Sequence, residues 1–290
     1  MSLKETLTAM KQESIATKPP ELVGPLLEET DTLVRTGIAD KAIKIGEALP
    51  EFTLPDVKGS MVSSKELLKN MTDKIKLDIL SDVVCPWCII GYKRLESVIL
   101  QMGIEDRVEI EWHPFELNPH MPPEGEEIVG HMSGKYGMTR AVSLQNLGNM
   151  AQLGEEAGFK LDFFDGMKMV NTRDVHILLD YAKSHGLQTQ LKLRLFEAFF
   201  SERKDVSDRK VLAGELDAVG LDVEKGLAAL KDEGARERIQ IQENYWLGMG
   251  ISSVPTMVLN QSGFLRGAQG IDTYKMVLTG LMNKKEKILM

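Results

Sequence analysis

The pair Cys85 and Cys88, spaced as Cys85-Pro86-Trp87-Cys88, constrains this chain more than any other feature. Upstream, Ile75, Leu77 and Ile79 alternate with Lys74, Lys76 and Asp78, and Val83-Val84 leads straight into the first cysteine. That alternation predicts a strand. Downstream, Gly91, Leu95, Val98, Ile99 and Met102 fall on one helical face, with Gly103 placed as a stop. Val108, Ile110 and Trp112 then alternate with Arg107, Glu109 and Glu111, which predicts a second strand. The cysteines therefore sit where a strand hands over to a helix, inside a strand–helix–strand unit expected to be parallel.

These are the only cysteines among 290 residues. A disulfide closing so short a loop would constrain the unfolded chain little. Redox chemistry or half of a metal site is the better reading. Zinc asks for four ligands, and His113, His120, His131, His176 and His185 show no convincing ligand spacing, so no metal is expected. An inert buried pair, the bland alternative, would need no Pro-Trp between its members. A thiolate is the attacking species in disulfide exchange, and a helix N-terminus stabilises one through its free N–H groups and dipole. Cys85 is expected to be the exposed nucleophile and Cys88 the resolving thiol. Pro86 and Trp87 would tune their potential, and Trp87 is expected at the surface.

Net charge is −8 with a sequence pI near 5.3, so the surface should repel phosphate backbones and nucleic acid is not an expected partner. No apolar run reaches the roughly 18 residues of a membrane span. The N-terminus lacks the apolar core and cleavage pattern of a secretory signal, and a cytoplasmic location is expected.

Residues 1 to about 42 read as two helical stretches separated by Lys18-Pro19-Pro20. Ile45 to Gly59 reads as short extended pieces with a turn, and Ser63 to Glu66 as the opening of a short helix. From about Asn118 to Leu247 helical stripes dominate and no strand is expected; Ser207 is read as an N-cap there. Pro255–Asn260, the turn Gln261-Ser262-Gly263 and Phe264–Gly267 predict a hairpin, followed by a helix from Ile271 to about Asn283. Sixteen methionines are many. Met132, Met138, Met150, Met167 and Met169 fall in or near the helical block, where core filling is favoured over a peptide-binding groove.

The stretches Ser81–Gly91, Trp112–Pro119, Asn171-Thr172, Lys204–Asp208, Val254-Pro255-Thr256 and Gly267-Ala268-Gln269 together resemble the DsbA-like thioredoxin family, in particular its FrnE-like branch within the 2-hydroxychromene-2-carboxylate isomerase/DsbA-like superfamily. The likeness covers about residues 74–282. It implies an α/β thioredoxin fold with a large all-helical insertion: residues 73–117 and 248–290 as the thioredoxin-fold domain, 118–247 as the helical insertion. It also implies that Pro255 is cis and, with Val254, offers backbone to an extended substrate beside Cys85.

Residues 1–72 form a helical and extended N-terminal extension. Lys44–Leu68 resembles the opening of peroxiredoxin-like (AhpC/TSA) proteins, but the peroxidatic cysteine motif is missing, which leaves packing or homodimerisation as the expected task. The expected function is thiol–disulfide exchange on protein or small-molecule thiols and disulfides, with no bound cofactor and glutathione admitted as co-substrate. The runner-up is a glutathione-dependent isomerase or transferase of the kappa-class or 2-hydroxychromene-2-carboxylate isomerase type, which typically carries Ser in place of Cys85. A non-catalytic binding module is the third reading. Asp82, three residues before Cys85, and His113 are candidates for proton transfer; for His113 a merely structural polar role is favoured.

Overall fold

The computed structural model describes residues 53–55, 61–63 and 74–288, with side chains at 53, 61, 63 and 74–283. They fall into two units that divide between Lys69 and Asn70. In the first, β1 (Thr53–Pro55) pairs antiparallel with β2 (Met61–Ser63). β1 falls within the stretch where extended pieces were expected, whereas β2 lies beyond it and ends at Ser63, the residue read as opening a short helix. The helices expected in residues 1–42 and after Ser63 lie outside the described residues.

The second unit is built on a four-stranded sheet. Its central strand β3 (Ile75–Ser81) runs parallel to β4 (Val108–Pro114). On the other side it pairs antiparallel with β7 (Thr256–Leu259), which pairs antiparallel with β8 (Gly263–Arg266). The order is β4-β3-β7-β8. Helix α1 (Pro86–Met102) makes the crossover from β3 to β4, and Gly103 ends it in the left-handed conformation at φ 61°. A final helix, α9, spans Ile271–Ile288.

β3 departs from simple alternation. Asp78 and Leu80 are as buried as Ile75, Leu77 and Ile79. One face joins the main core; the other carries Leu80 against Ile251 and Val258, flanked by Phe115 and Trp246. A central strand covered on both faces loses its polar side. Each fully buried Leu or Ile contributes about 1.5–3 kcal/mol, enough for β3 to tolerate the polar groups at its C-terminal end.

Between β4 and β7 the chain is mainly helical: α2 (Ile128–Tyr136), α3 (Arg140–Glu156), α4 (Arg173–Lys183), α5 (Gln188–Phe196), α6 (Arg209–Ala218), α7 (Val223–Ala229) and α8 (Glu233–Gly248). The fold is thus a thioredoxin fold with a helical insertion. Two details correct the sequence reading. A short pair, β5 (Glu126–Glu127) with β6 (Lys168–Met169), lies in the region where no strand was expected; two-residue strands are too short to show a period. Asp208, not Ser207, caps α6: its carboxylate accepts from Lys210 N, while the Ser207 hydroxyl donates to Asp205. Among the described residues no helix is long and apolar enough to cross a membrane.

Candidate active site

β3 ends at Ser81, and four residues later Cys85 takes the N-cap position of α1 in extended conformation (φ −97°, ψ 110°). Pro86 fits the first turn because its missing N–H costs nothing there. No acidic residue occupies that turn, so the positive helix end is left to the sulfurs. The backbone closes tightly: Cys85 N donates to Asp82 O at 3.2 Å and Cys88 N to Cys85 O at 3.0 Å. Both cysteines are free thiols.

Cys85 is only 4% exposed, contrary to the expectation of an open nucleophile. The reason lies in the insertion. Helices α2 and α3 roof the site and leave a cavity of about 610 Å³, on whose wall Cys85, Pro86, Trp87 and Val254 sit. Cys88, at 1% exposure, does not line it. The remaining lining is largely apolar, with Ile128, Leu147, Leu153, Phe163 and Phe200 beside Met132, Met138, Met150 and Met169. Met132, Met167 and Met169 belong to the core and Met138 and Met150 pack against it, as favoured from the sequence, while all but Met167 also line the cavity. Trp87 stands at the rim, 41% exposed.

The antiparallel pairing of β7 with β3 brings the start of β7 to the end of β3. The Val254–Pro255 peptide is cis, and Val254 O lies 3.9 Å from Cys85 Sγ. The gap of 169 residues is closed by sheet register alone. On the other side of α1, Gly91 lets the helix approach the chain closely: a Cβ there would stand 3.3 Å from Ala268 Cα and from Tyr274 Oη.

A polar cluster lies behind the sulfurs. Asp82 is fully buried; Leu117 N donates to its Oδ2 at 2.7 Å and Thr172 Oγ1 at 3.1 Å. Its Oδ1 faces His176 Nε2 at 3.7 Å, too long for a hydrogen bond. Burial works to raise the Asp82 carboxyl, yet His176, Leu117 N–H and Lys192 hold it below the usual carboxylate range. The two thiols share one readily lost proton. Cys88 is drawn down: burial opposes this, but the hydrogen bond from Cys85, the Ser81 hydroxyl and the Lys192 charge prevail. The hydrogen bond to Cys88, together with burial, pushes the Cys85 thiol well up.

His113 lies elsewhere. Its Nε2 is 2.9 Å from Asp78 Oδ1, its ring meets Trp246 edge-on at 4.9 Å, and it does not line the cavity of Cys85. Asp78, Glu111 and His113 each bring one ligand-type atom within 4.8 Å of the others. Lys76 and Lys183 already neutralise Glu111, so the group reads as an ion-pair network across β3 and β4.

A model of the DSBA-like thioredoxin domain matches residues 76–279. The chain belongs to that family. The family is one of thiol–disulfide oxidoreductases. The uncharacterized protein YwbO of Bacillus subtilis (strain 168) is 26% identical over 216 residues, 73% of this chain and 99% of that protein. Among solved structures, a probable DsbA oxidoreductase from Streptomyces coelicolor superposes with a TM-score of 0.68 at 26% identity, covering 72% of this chain and 90% of its own. A 2-hydroxychromene-2-carboxylate isomerase shares the fold, with a TM-score of 0.55 at 18% identity over 73% of this chain and 98% of its own.

Within this DSBA-like domain, sequence reasoning missed Lys192 and did not foresee His176 and Thr172 as neighbours of Asp82. Each lies in the helical insertion, far from the cysteines in sequence. Lys192 interrupts the apolar stripe of Leu191 and Leu195, a charge on a buried face, and that was the available signal.

Proposed function

We propose that this chain exchanges dithiols and disulfides, with Cys85 as the attacking sulfur and Cys88 as the resolving one. One observation carries the reading: of two cysteines one helical turn apart, only Cys85 opens onto a cavity, beside the carbonyl of Val254. As Cys85 attacks, the hydrogen bond between the sulfurs passes its proton to Cys88. A bond forms between Cys85 Sγ and one substrate sulfur, and the other substrate sulfur leaves as a thiolate. Cys88 then gives up its proton and attacks Cys85 Sγ. The Cys85–Cys88 bond closes, and the first substrate sulfur departs with the electron pair of the broken bond. Run backwards, the steps oxidise a substrate dithiol.

The apolar, methionine-rich wall favours a disulfide flanked by apolar groups on a peptide or small molecule. Val254 and Pro255 would present backbone to an extended segment, and glutathione is a co-substrate of suitable chemistry. The cytoplasm is the proposed setting, where the reduced pair is the resting form. The intact pair of sulfurs weighs against the isomerase reading, in which a single hydroxyl would suffice.

Trapping tests this. Cys88→Ser should accumulate mixed disulfides on Cys85, detected by mass spectrometry with glutathione disulfide and with peptide disulfides. Cys85→Ser should accumulate none. Equal trapping by both variants, or trapping by neither, overturns the assignment.

A further inference from the structure

Lys192 projects from α5 into the space behind the cysteines and is completely buried. Its Nζ donates to Ser81 O at 3.1 Å and lies over the rings of Trp112 at 5.4 Å and Phe196 at 5.2 Å. Ser81 at the end of β3 touches it, and the charges of Asp82 just past β3, of Cys85 at the N-cap of α1 and of Cys88 within α1 act on it; His176 of α4 lies beside Asp82. Among the described residues it forms no salt bridge: Arg173 holds Glu116, Arg194 holds Glu215, but no carboxylate oxygen comes within 4.0 Å of the Lys192 ammonium. A buried ammonium without such a partner is costly to keep charged. The anion whose charge acts on it most strongly is a sulfur, Cys88, ahead of Asp82 and Cys85. Asp82 Oδ1, also buried, has no hydrogen-bond partner.

We infer that Lys192 is a positioning residue for the resolving step, a buried countercharge from the helical insertion that makes Cys88 ionise. The inference rests on the exchange reading above and deepens it. In the mixed disulfide Cys88 releases its proton to the solvent buffer, and its thiolate is held by Lys192. The thiolate attacks Cys85 Sγ, the new bond closes, and the substrate sulfur leaves as a thiolate that takes a proton from water. The site then holds the Lys192 cation and the Asp82 anion, one negative charge fewer than before. Burial already brings the Lys192 ammonium down to about 8, against the raising influence of Cys88, Asp82 and Cys85. Loss of the thiolate on oxidation should lower it further.

Lys192→Met keeps the length of the side chain and removes the charge. Two measurements are needed: thiolate absorbance against pH in the reduced protein, and stopped-flow resolution of a mixed disulfide with a peptide. The expected result is a first thiol ionisation shifted up by about one pH unit or more and resolution at pH 7 slowed roughly tenfold. Formation of the mixed disulfide, followed in the Cys88→Ser background, should change by less than roughly threefold. A folded variant with unaltered ionisation and unaltered resolution overturns the inference. If Cys88→Ser traps no substrate, the exchange reading fails by itself, while the thiolate titration still reports on Lys192. Should Lys192→Met not fold, lysine-selective ¹³C NMR of the wild-type protein decides. One lysine must titrate near pH 8 when reduced and lower when oxidised; a set of lysines indifferent to redox state refutes the proposal.

Discussion

Asp82 shows how a single residue can be held ionised without water. Two donors, Leu117 N–H and Thr172 Oγ1, meet one of its oxygens, and His176 faces the other. Its folded-state value lies below the ordinary carboxylate value. The charged form therefore adds stability above the unfolded value, near pH 4, and that stability is lost as pH falls through the folded value. Asp82→Asn should cost about 3 kcal/mol at pH 7, typical of breaking a buried charge cluster on one side. The gap to wild type should shrink at pH 3, with urea denaturation at both pH values as the check. A pH-independent gap would mean that packing, not charge, explains the loss.

At the scale of elements, β3 and β4 are tied by register and by charge. Glu111 accepts from Lys76 and Lys183; burial would raise its carboxyl, but these partners hold it down at about 2. The stabilisation this brings is present above the unfolded value near 4.3 and disappears as pH drops toward 2. Glu111→Gln should lower the melting temperature at pH 7, with the difference closing between about pH 4.5 and pH 2. Thermal melts across that range would show it. In α3, a Cβ on Gly154 would stand 2.7 Å from Phe159 O and 2.9 Å from Leu161. Backbone cannot yield as a side-chain tip can, so Gly154→Ala should destabilise by roughly 1–3 kcal/mol, read from a denaturation midpoint.

Elements of this kind were legible where a period or a stop signal is strong. Gly103 ends α1 and the turn at Gln261–Gly263 opens β8, because positive φ and tight reversal need particular residues. The nucleophile's seat at a helix N-terminus was legible too, since the motif and its flanks are contiguous. The burial of Cys85 was not, because the roof over it comes from residues 128–156, whose stripes say that they pack but not upon what. His113 and Lys192 make the same point from opposite directions. A histidine near in sequence to the motif faces Asp78, whereas a lysine about a hundred residues away faces Cys88.

For the whole molecule, redox state and stability are linked through the shared proton of the dithiol. Folding draws Cys88 below its unfolded value, so the reduced form gains stability as pH rises through the folded value toward about 8.5, and loses it as pH falls. The oxidised form has no such group. The difference in urea midpoint, reduced minus oxidised, should therefore increase as pH rises toward about 8.5. A constant difference would contradict the ionisation pattern described for the pair.

The antiparallel meeting of β3 and β7 has a consequence for how such a molecule can change. The sheet itself pins the two ends of the long helical excursion, so evolution can lengthen, shorten or replace that excursion as a cassette without disturbing the sulfur and the carbonyl beside it. Because the cassette carries both the apolar roof and the buried lysine, each replacement would reset what the site admits and how readily its second sulfur fires, in one move.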